Sequence, residues 1–315
     1  MSVPPESTSP PQGTSPPQGM SYAAPAGVIH DIGYRRYDGP RLGRGYILRS
    51  LFVASLRSTY GLGRTARSKI LPFMLGAVML LPAAILVAVT VAIKPPEPPV
   101  AYTRYFVYTQ AVIAIFAAAQ APQLFSRDLR FRTITLYFSR PLVRIDYVVA
   151  KYAALVASLF ILMALPLLVM YAGALLGKYP VGAQTKGLLA GLAGVAVLAL
   201  VLAGISGVIS ALTTRRGFGV AAIITVLTVA YGGSSFMSAI LGDQGHRTAA
   251  GYAGLFSPVT LVDGVQVIAL GATSASPVPP PAGGLGALAY VLVTLLVIGG
   301  SFGLLMLRYR KVAAS

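Results

Sequence analysis

Few residues in this chain could do acid–base, nucleophilic or metal chemistry. There are eight carboxylates (Glu6, Asp31, Asp38, Glu97, Asp128, Asp146, Asp243 and Asp263) and two histidines (His30 and His246), with no cysteine. The lack of cysteine removes disulfides, thiolate metal sites and a thiol nucleophile. The two histidines fall in regions assigned below to opposite sides of a membrane, so they cannot share a metal, and no metal site is expected. No G-x-x-x-x-G-K-[ST] occurs, which rules out ATP binding through a P-loop. All of these groups, and all 25 Lys and Arg, lie outside six long uncharged segments. Ionisable groups inside membrane spans are the usual mark of proton relays and ion coupling. Their absence argues against a proton-driven carrier, and against a membrane-embedded enzyme, which needs a titratable group at its site. The stretch "GDQGHR" (242–247), with Asp263, is the one conceivable acid–base grouping, and it reads better as a solvated loop. No catalytic residue is therefore assigned. Uphill transport by such a chain would draw its free energy from a separate subunit pressing on a cytoplasmic surface.

The elements that carry these residues follow from composition. The chain is 56% hydrophobic and 10% charged, where a soluble domain is about a quarter charged. An all-α integral membrane protein is the expected class. The six uncharged segments are 70–93, 105–125, 152–176, 188–212, 220–241 and 285–307, each long enough for a hydrocarbon core that takes roughly 20 helical residues. In a soluble protein the net charge of +17 would suggest nucleic acid. Here it is read as orientation. Twenty of the 25 Lys and Arg fall on the side of the termini and five on the other, which places both termini in the cytoplasm of a multi-pass plasma-membrane protein. No nucleic-acid partner is expected. Arginine outnumbers lysine nineteen to six, and alanine, glycine and proline are abundant, as in a GC-rich bacterial genome.

Flanking the six-helix domain (70–307) are three further segments. Residues 1–40 are rich in Pro and Ser, repeat "TSPPQG" at 8–13 and 14–19, and read as a disordered cytoplasmic tail. Residues 41–69 are basic with an apolar stripe (Ile47, Leu48, Leu51, Phe52, Leu56) and read as an amphipathic helix in the membrane interface. Residues 308–315 form a basic tail. A further apolar stretch, 252–270, holds Pro258 and Asp263 at mid-segment. A central Asp costs about 2.5–3.5 kcal/mol to insert, so this stretch is read as short re-entrant or surface-lying helices outside, between spans five and six. Pro166 and the "YGGSS" run (231–235) mark candidate kinks.

Between spans two and three lies the densest charge outside the N-terminal region, "FSRDLRFRTITLYFSRPLVRIDYVVAK" (125–151). A short helix through 127–138 is expected, ending before Pro141 because proline biases Arg140 to an extended backbone. Asp146 is placed to cap the third span. The stretch resembles the cytoplasmic loop of type-2 ABC exporter permeases. Asp128, Thr133, Leu136, Ser139, Arg140, Pro141, Arg144 and Lys151 stand in the places of that pattern, while Arg132 replaces a usual glycine and Thr135 a frequent glutamate. The resemblance extends to the order of an interfacial helix, six spans and a long outer loop carrying "LFSPVTLVDG" (255–264). It implies an exporter subunit that works as a pair, with a second copy of itself or a homologous permease. A cytoplasmic ABC ATPase would dock on this loop as its coupling helix and would hold ATP and Mg, leaving no cofactor on this chain. The coupling residues implied are Asp128, Arg130, Arg132, Thr133, Arg140, Pro141 and Arg144. Ser257, Pro258 and Asp263 would belong to an outer gate.

Among uncharged polar groups in the spans, Gln110, Gln120, Tyr231, Ser234 and Ser235 are candidates for a substrate path, suited to an amphiphilic, drug-like or lipid-like molecule. The same groups could bond neighbouring helices. The rival reading is a non-transporting membrane interaction or assembly protein whose basic cytoplasmic surface recruits lipid or a partner.

Overall fold

Backbone groups in a lipid core find no outside partner, so uncharged stretches of this length close their hydrogen bonds internally. The computed structural model describes residues 39, 42–131, 142–213 and 215–312, and among these all regular structure is helical. The calls on the tail (other than Gly39), on the repeat, and on Arg132, Thr133, Arg140 and Pro141 lie outside the described residues. Helix α1 (Arg44–Thr59) precedes α2 (Ala66–Ile93), α3 (Tyr105–Tyr108), α4 (Gln110–Leu124) and α5 (Ser126–Arg130). Then follow α6 (Arg144–Leu176), α7 (Val181–Leu212) and α8 (Arg216–Asp243), two short helices, α9 (Arg247–Ala253) and α10 (Pro258–Leu270), and finally α11 (Gly284–Val312).

Five of these, α2, α6, α7, α8 and α11, are long and apolar enough to cross a membrane. The stretch 105–125 departs from the expected single span, because α3 and α4 meet at a break on Thr109. The Thr109 hydroxyl bonds the Tyr105 carbonyl at 3.0 Å, the back-bonding that bends helices. Residues 252–270 do not form one crossing either. The chain leaves α9 through a 3-10 turn (Gly254–Phe256) and an extended Ser257 before α10 begins on Pro258. Proline suits the first helical position, where no N–H is needed. Gly271, at φ +62, ends α10 in the left-handed conformation that glycine adopts freely. Pro166 and residues 231–235 lie inside unbroken helices.

The core sits on α6 and α7, whose most apolar windows are 56% buried, against 17% for α2 and α8. Helices α1 and α2 pack on α6, α11 on α7, and α8 on α4. The stripe side of α1 meets protein, with Ile47 and Leu51 against the core. Lipid tails are as apolar as leucine, so helix association rests on close packing and on polar bonds between helices. Tyrosine hydroxyls supply several of these. Tyr60 donates to the Ser158 carbonyl at 2.8 Å, Tyr152 to Leu200 at 2.8 Å, and Tyr290 to Gly251 at 2.7 Å.

Candidate functional site

Charged side chains gather at the end of the bundle where α1, α5, α6 and α11 meet. Helix α5 is one turn of the segment expected to run through 127–138. Its Asp128 accepts from Lys151 Nζ at 2.9 Å and from the Tyr147 hydroxyl at 2.6 Å, both on α6. Residues 147 and 151 are one helical turn apart, which puts both on the face of α6 that meets α5. The lysine and aspartate side chains are 9% and 13% exposed, so the pair is largely out of water. The Tyr147 ring lies 5.4 Å from that of Tyr309 on α11. Ser126 donates to the Ser210 carbonyl on α7 at 2.6 Å, and Gln123 to Ser58 of α1 at 2.7 Å. The end of α4 and the turn after it are thereby fastened to three other helices, α1, α6 and α7.

Asp146 does not cap α6. The N-cap position is Val143, and the Asp146 carboxylate takes a bidentate pair from Arg44 of α1, at 2.6 and 2.7 Å. Two parallel charge-assisted bonds fix orientation more firmly than a cap would. The carboxylate raises the Arg44 guanidinium above its ordinary value, mainly through this bond. Arg130 and Arg144 are exposed. Arg130 stacks over Phe131 at 5.6 Å, and neither arginine has an acidic partner among the described residues.

At the opposite end, two cavities adjoin. One, of about 110 Å³, is lined by the hydroxyl-bearing Tyr231, Ser234, Ser235, Thr260 and Ser274, and by Asp263. The other, of about 150 Å³, is mostly apolar, with Ile113, Leu202, Leu227 and Val259, and holds Gln110 and Pro258. Tyr231 lines both. Of the candidate path and gate residues, the structure thus brings together Gln110, Tyr231, Ser234, Ser235, Pro258 and Asp263. Gln120 and Ser257 line neither cavity. Both are buried, and the Gln120 amide oxygen and the Ser257 hydroxyl have no hydrogen-bond partner among the described residues. Ser234 donates to the Ala253 carbonyl at 2.8 Å, so it also holds α8 to α9.

Asp263 is 2% exposed. It accepts from Ser274 Oγ at 2.9 Å and from the backbone N–H groups of Ala275 and Ser276. Burial holds its carboxyl above the usual carboxylate range, and these donors, with Arg104, oppose the shift. Among the described residues no cluster of three His, Asp or Glu could hold a metal ion.

The fold and these two ends define a polytopic helical membrane protein with an ion-paired end and a cavity-bearing end. A family model described as ABC-2 family transporter protein matches residues 18–246, and the chain belongs to that family. It is a permease component of an ABC transporter, a kind of subunit that is normally non-catalytic. No curated protein matches the chain. The resemblance points to Asp128, but it does not point to Tyr147, which bonds that carboxylate, or to Tyr309 beside it. The Tyr147/Lys151 spacing was the available signal.

Proposed function

We propose that this chain is the membrane subunit of an ATP-driven exporter that moves an amphiphilic, drug-like or lipid-like molecule outward. The observation that carries the substrate reading is the pair of adjoining cavities at Tyr231. A hydroxyl-lined chamber beside an apolar one suits a molecule with a polar head and an oily body, and uncharged hydroxyls bind such a head without the desolvation cost of a fixed charge. Ser257 and the helices Arg247–Ala253 and Pro258–Leu270 lie on the outer side in this reading and act with Pro258 and Asp263 as the gate. The segment 105–124 completes a sixth crossing despite its break at Thr109. Both termini are cytoplasmic, by the excess of Lys and Arg at that end.

A separate cytoplasmic ATPase supplies the energy and holds ATP and Mg. It docks on the segment that begins with α5 and ends at Arg144, with Arg130, Arg132, Arg140 and Arg144 as donors to its acidic groups. A second copy of this chain or a homologous permease completes the pathway. The test is co-purification in mild detergent with any soluble P-loop ATPase found in a neighbouring reading frame. The expected result is co-elution with wild type and its loss in Arg130→Glu/Arg144→Glu, with the variant still monodisperse. Failure of any ATPase to bind folded wild type would move the assembly-protein reading to first place. A Tyr231→Ala variant should keep ATPase binding but lose stimulation of hydrolysis by amphiphiles.

A further inference from the structure

Four arginines converge at the ion-paired end without an acid to balance them. Arg64 lies in the turn between α1 and α2, Arg127 and Arg130 on α5, and Arg216 at the first position of α8. They line one open cavity of about 180 Å³, floored by Pro122 and Gln123. The Gln123 amide is already engaged with Ser58. Among the described residues none of the four arginines forms an ion pair. The crowding registers on Arg64, whose guanidinium is held below its ordinary value first by burial and then by Arg127 and Arg216. Three chain segments bring like charges together here at a cost, and a bound anion would remove that cost.

The setting selects the anion. The ring lies where apolar helices begin and end, since Arg216 opens α8 and Pro122 sits in the last turn of α4. A large apolar side chain in its lining is open, Phe131 at 63% exposed, and Phe218, in the first turn of α8, is 67% exposed at the same end of that helix. A lipid would lay acyl chains on such side chains. Guanidinium forks also match phosphate oxygens bidentately.

We propose that the Arg64–Arg127–Arg130–Arg216 cavity binds the phosphate headgroup of an anionic lipid of the cytoplasmic leaflet. The proposal rests on the cytoplasmic placement of this end given under the proposed function, and it shares Arg130 with the ATPase contact proposed there, so lipid binding is measured without an ATPase. The test uses the full chain, purified in neutral detergent without an ATPase, titrated with dioctanoyl-phosphatidylglycerol, dioctanoyl-phosphatidylcholine and inorganic phosphate. The phosphatidylglycerol should bind well above the other two. Each basic residue near a membrane surface is worth about 1 kcal/mol, or roughly fivefold, so Arg127→Gln/Arg216→Gln should weaken it by about thirtyfold. The control pair Arg49→Gln/Arg57→Gln, which removes the same charge from α1, should leave binding unchanged.

Equal binding of phosphatidylcholine, or an equal loss in the control pair, overturns the site. Equal binding of inorganic phosphate shows a free-anion site in which the acyl chains play no part. Undiminished lipid binding in the Arg127/Arg216 variant, together with loss of ATPase co-elution, assigns the arginines to a protein partner instead. If the double variant does not fold, Arg64→Gln, in the turn outside the helices, should still show a loss of about fivefold.

Discussion

The two ends of the bundle are held by different chemistry. At the ion-paired end, α5 is fixed to α6 by a largely buried lysine–aspartate pair and α1 to α6 by a bidentate arginine. At the other end, contacts run mainly through hydroxyls and backbone carbonyls, with the Asp263 carboxylate bonded to Ser274 and two backbone N–H groups rather than to a base, and the structure leaves two cavities there. Charge-assisted bonds are roughly twice as strong as neutral ones, so the first end resists deformation more than the second. That difference would let a load on the turn after α4 pass into α6, α7 and α11 as a unit, while the helices at the cavity-bearing end yield. The comparison can be broken by showing that the ion-paired end tolerates loss of its ties, or that the outer end does not.

The largest effect is expected at Lys151. Removing one partner of a buried ion pair costs about 3–5 kcal/mol, and here the Tyr147 hydroxyl would still bond Asp128. Lys151→Met should therefore melt well below wild type in detergent, and Asp128→Asn/Lys151→Met should recover much of the loss. A double variant as unstable as the single would mean that Asp128 is held chiefly by Tyr147 rather than by the lysine.

A smaller effect is expected where helices approach closely at the outer end. A Cβ on Gly264 of α10 would stand 2.1 Å from Tyr290 Cε1 on α11, and the Tyr290 ring is 2% exposed with its hydroxyl committed to Gly251. Overpacking of this kind costs about 1–3 kcal/mol. Gly264→Ala should lower the melting temperature, whereas Gly299→Ala and Gly303→Ala, with nothing within 4 Å of an added Cβ, should be neutral or slightly stabilising in a helix. If Gly264→Ala were silent, the outer helices would be loosely seated and the contrast between the ends would widen.

These glycines also show how far the sequence could be read. Five crossing helices were legible because lipid tolerates so few charges that their absence marks a span. Glycine spacing does not tell close approach from open space. Gly187 and Gly191 lie against Tyr102 and Gly194 against Gln266, but Gly299 and Gly303, at the same spacing of four, face open space. Spacing identifies a face without saying what it meets. The same limit explains Asp146, which is well placed by local rules to cap a helix and is instead claimed by Arg44, 102 residues away. The break at Thr109 was hidden because a hydroxyl bonding its own helix leaves no mark in hydropathy. The family pattern places Asp128 and Lys151 in the same stretch, and the pair they form and the Tyr147 hydroxyl beside it are visible only in three dimensions.

The finest test of the comparison is the buried carboxylate at the cavity-bearing end. Asp263 is buried among a hydroxyl and two backbone N–H groups, with Arg104 and Tyr290 as the titratable groups that act on it. Burial raises its folded-state value above the unfolded one. The folded protein therefore binds more protons than the unfolded chain between the two values, and stability falls as pH rises through that window. The contribution is fully present below the ordinary carboxylate range and is lost once pH passes the raised folded value. Asn resembles the protonated form and does not titrate, so Asp263→Asn should flatten this part of the profile and match wild type most closely at the acidic side. Thermal unfolding of both proteins from mildly acid to neutral pH reads the difference directly. A wild-type profile that rises with pH across the window would mean that the donors and Arg104 outweigh burial. The outer end would then be tied by charge as the other end is.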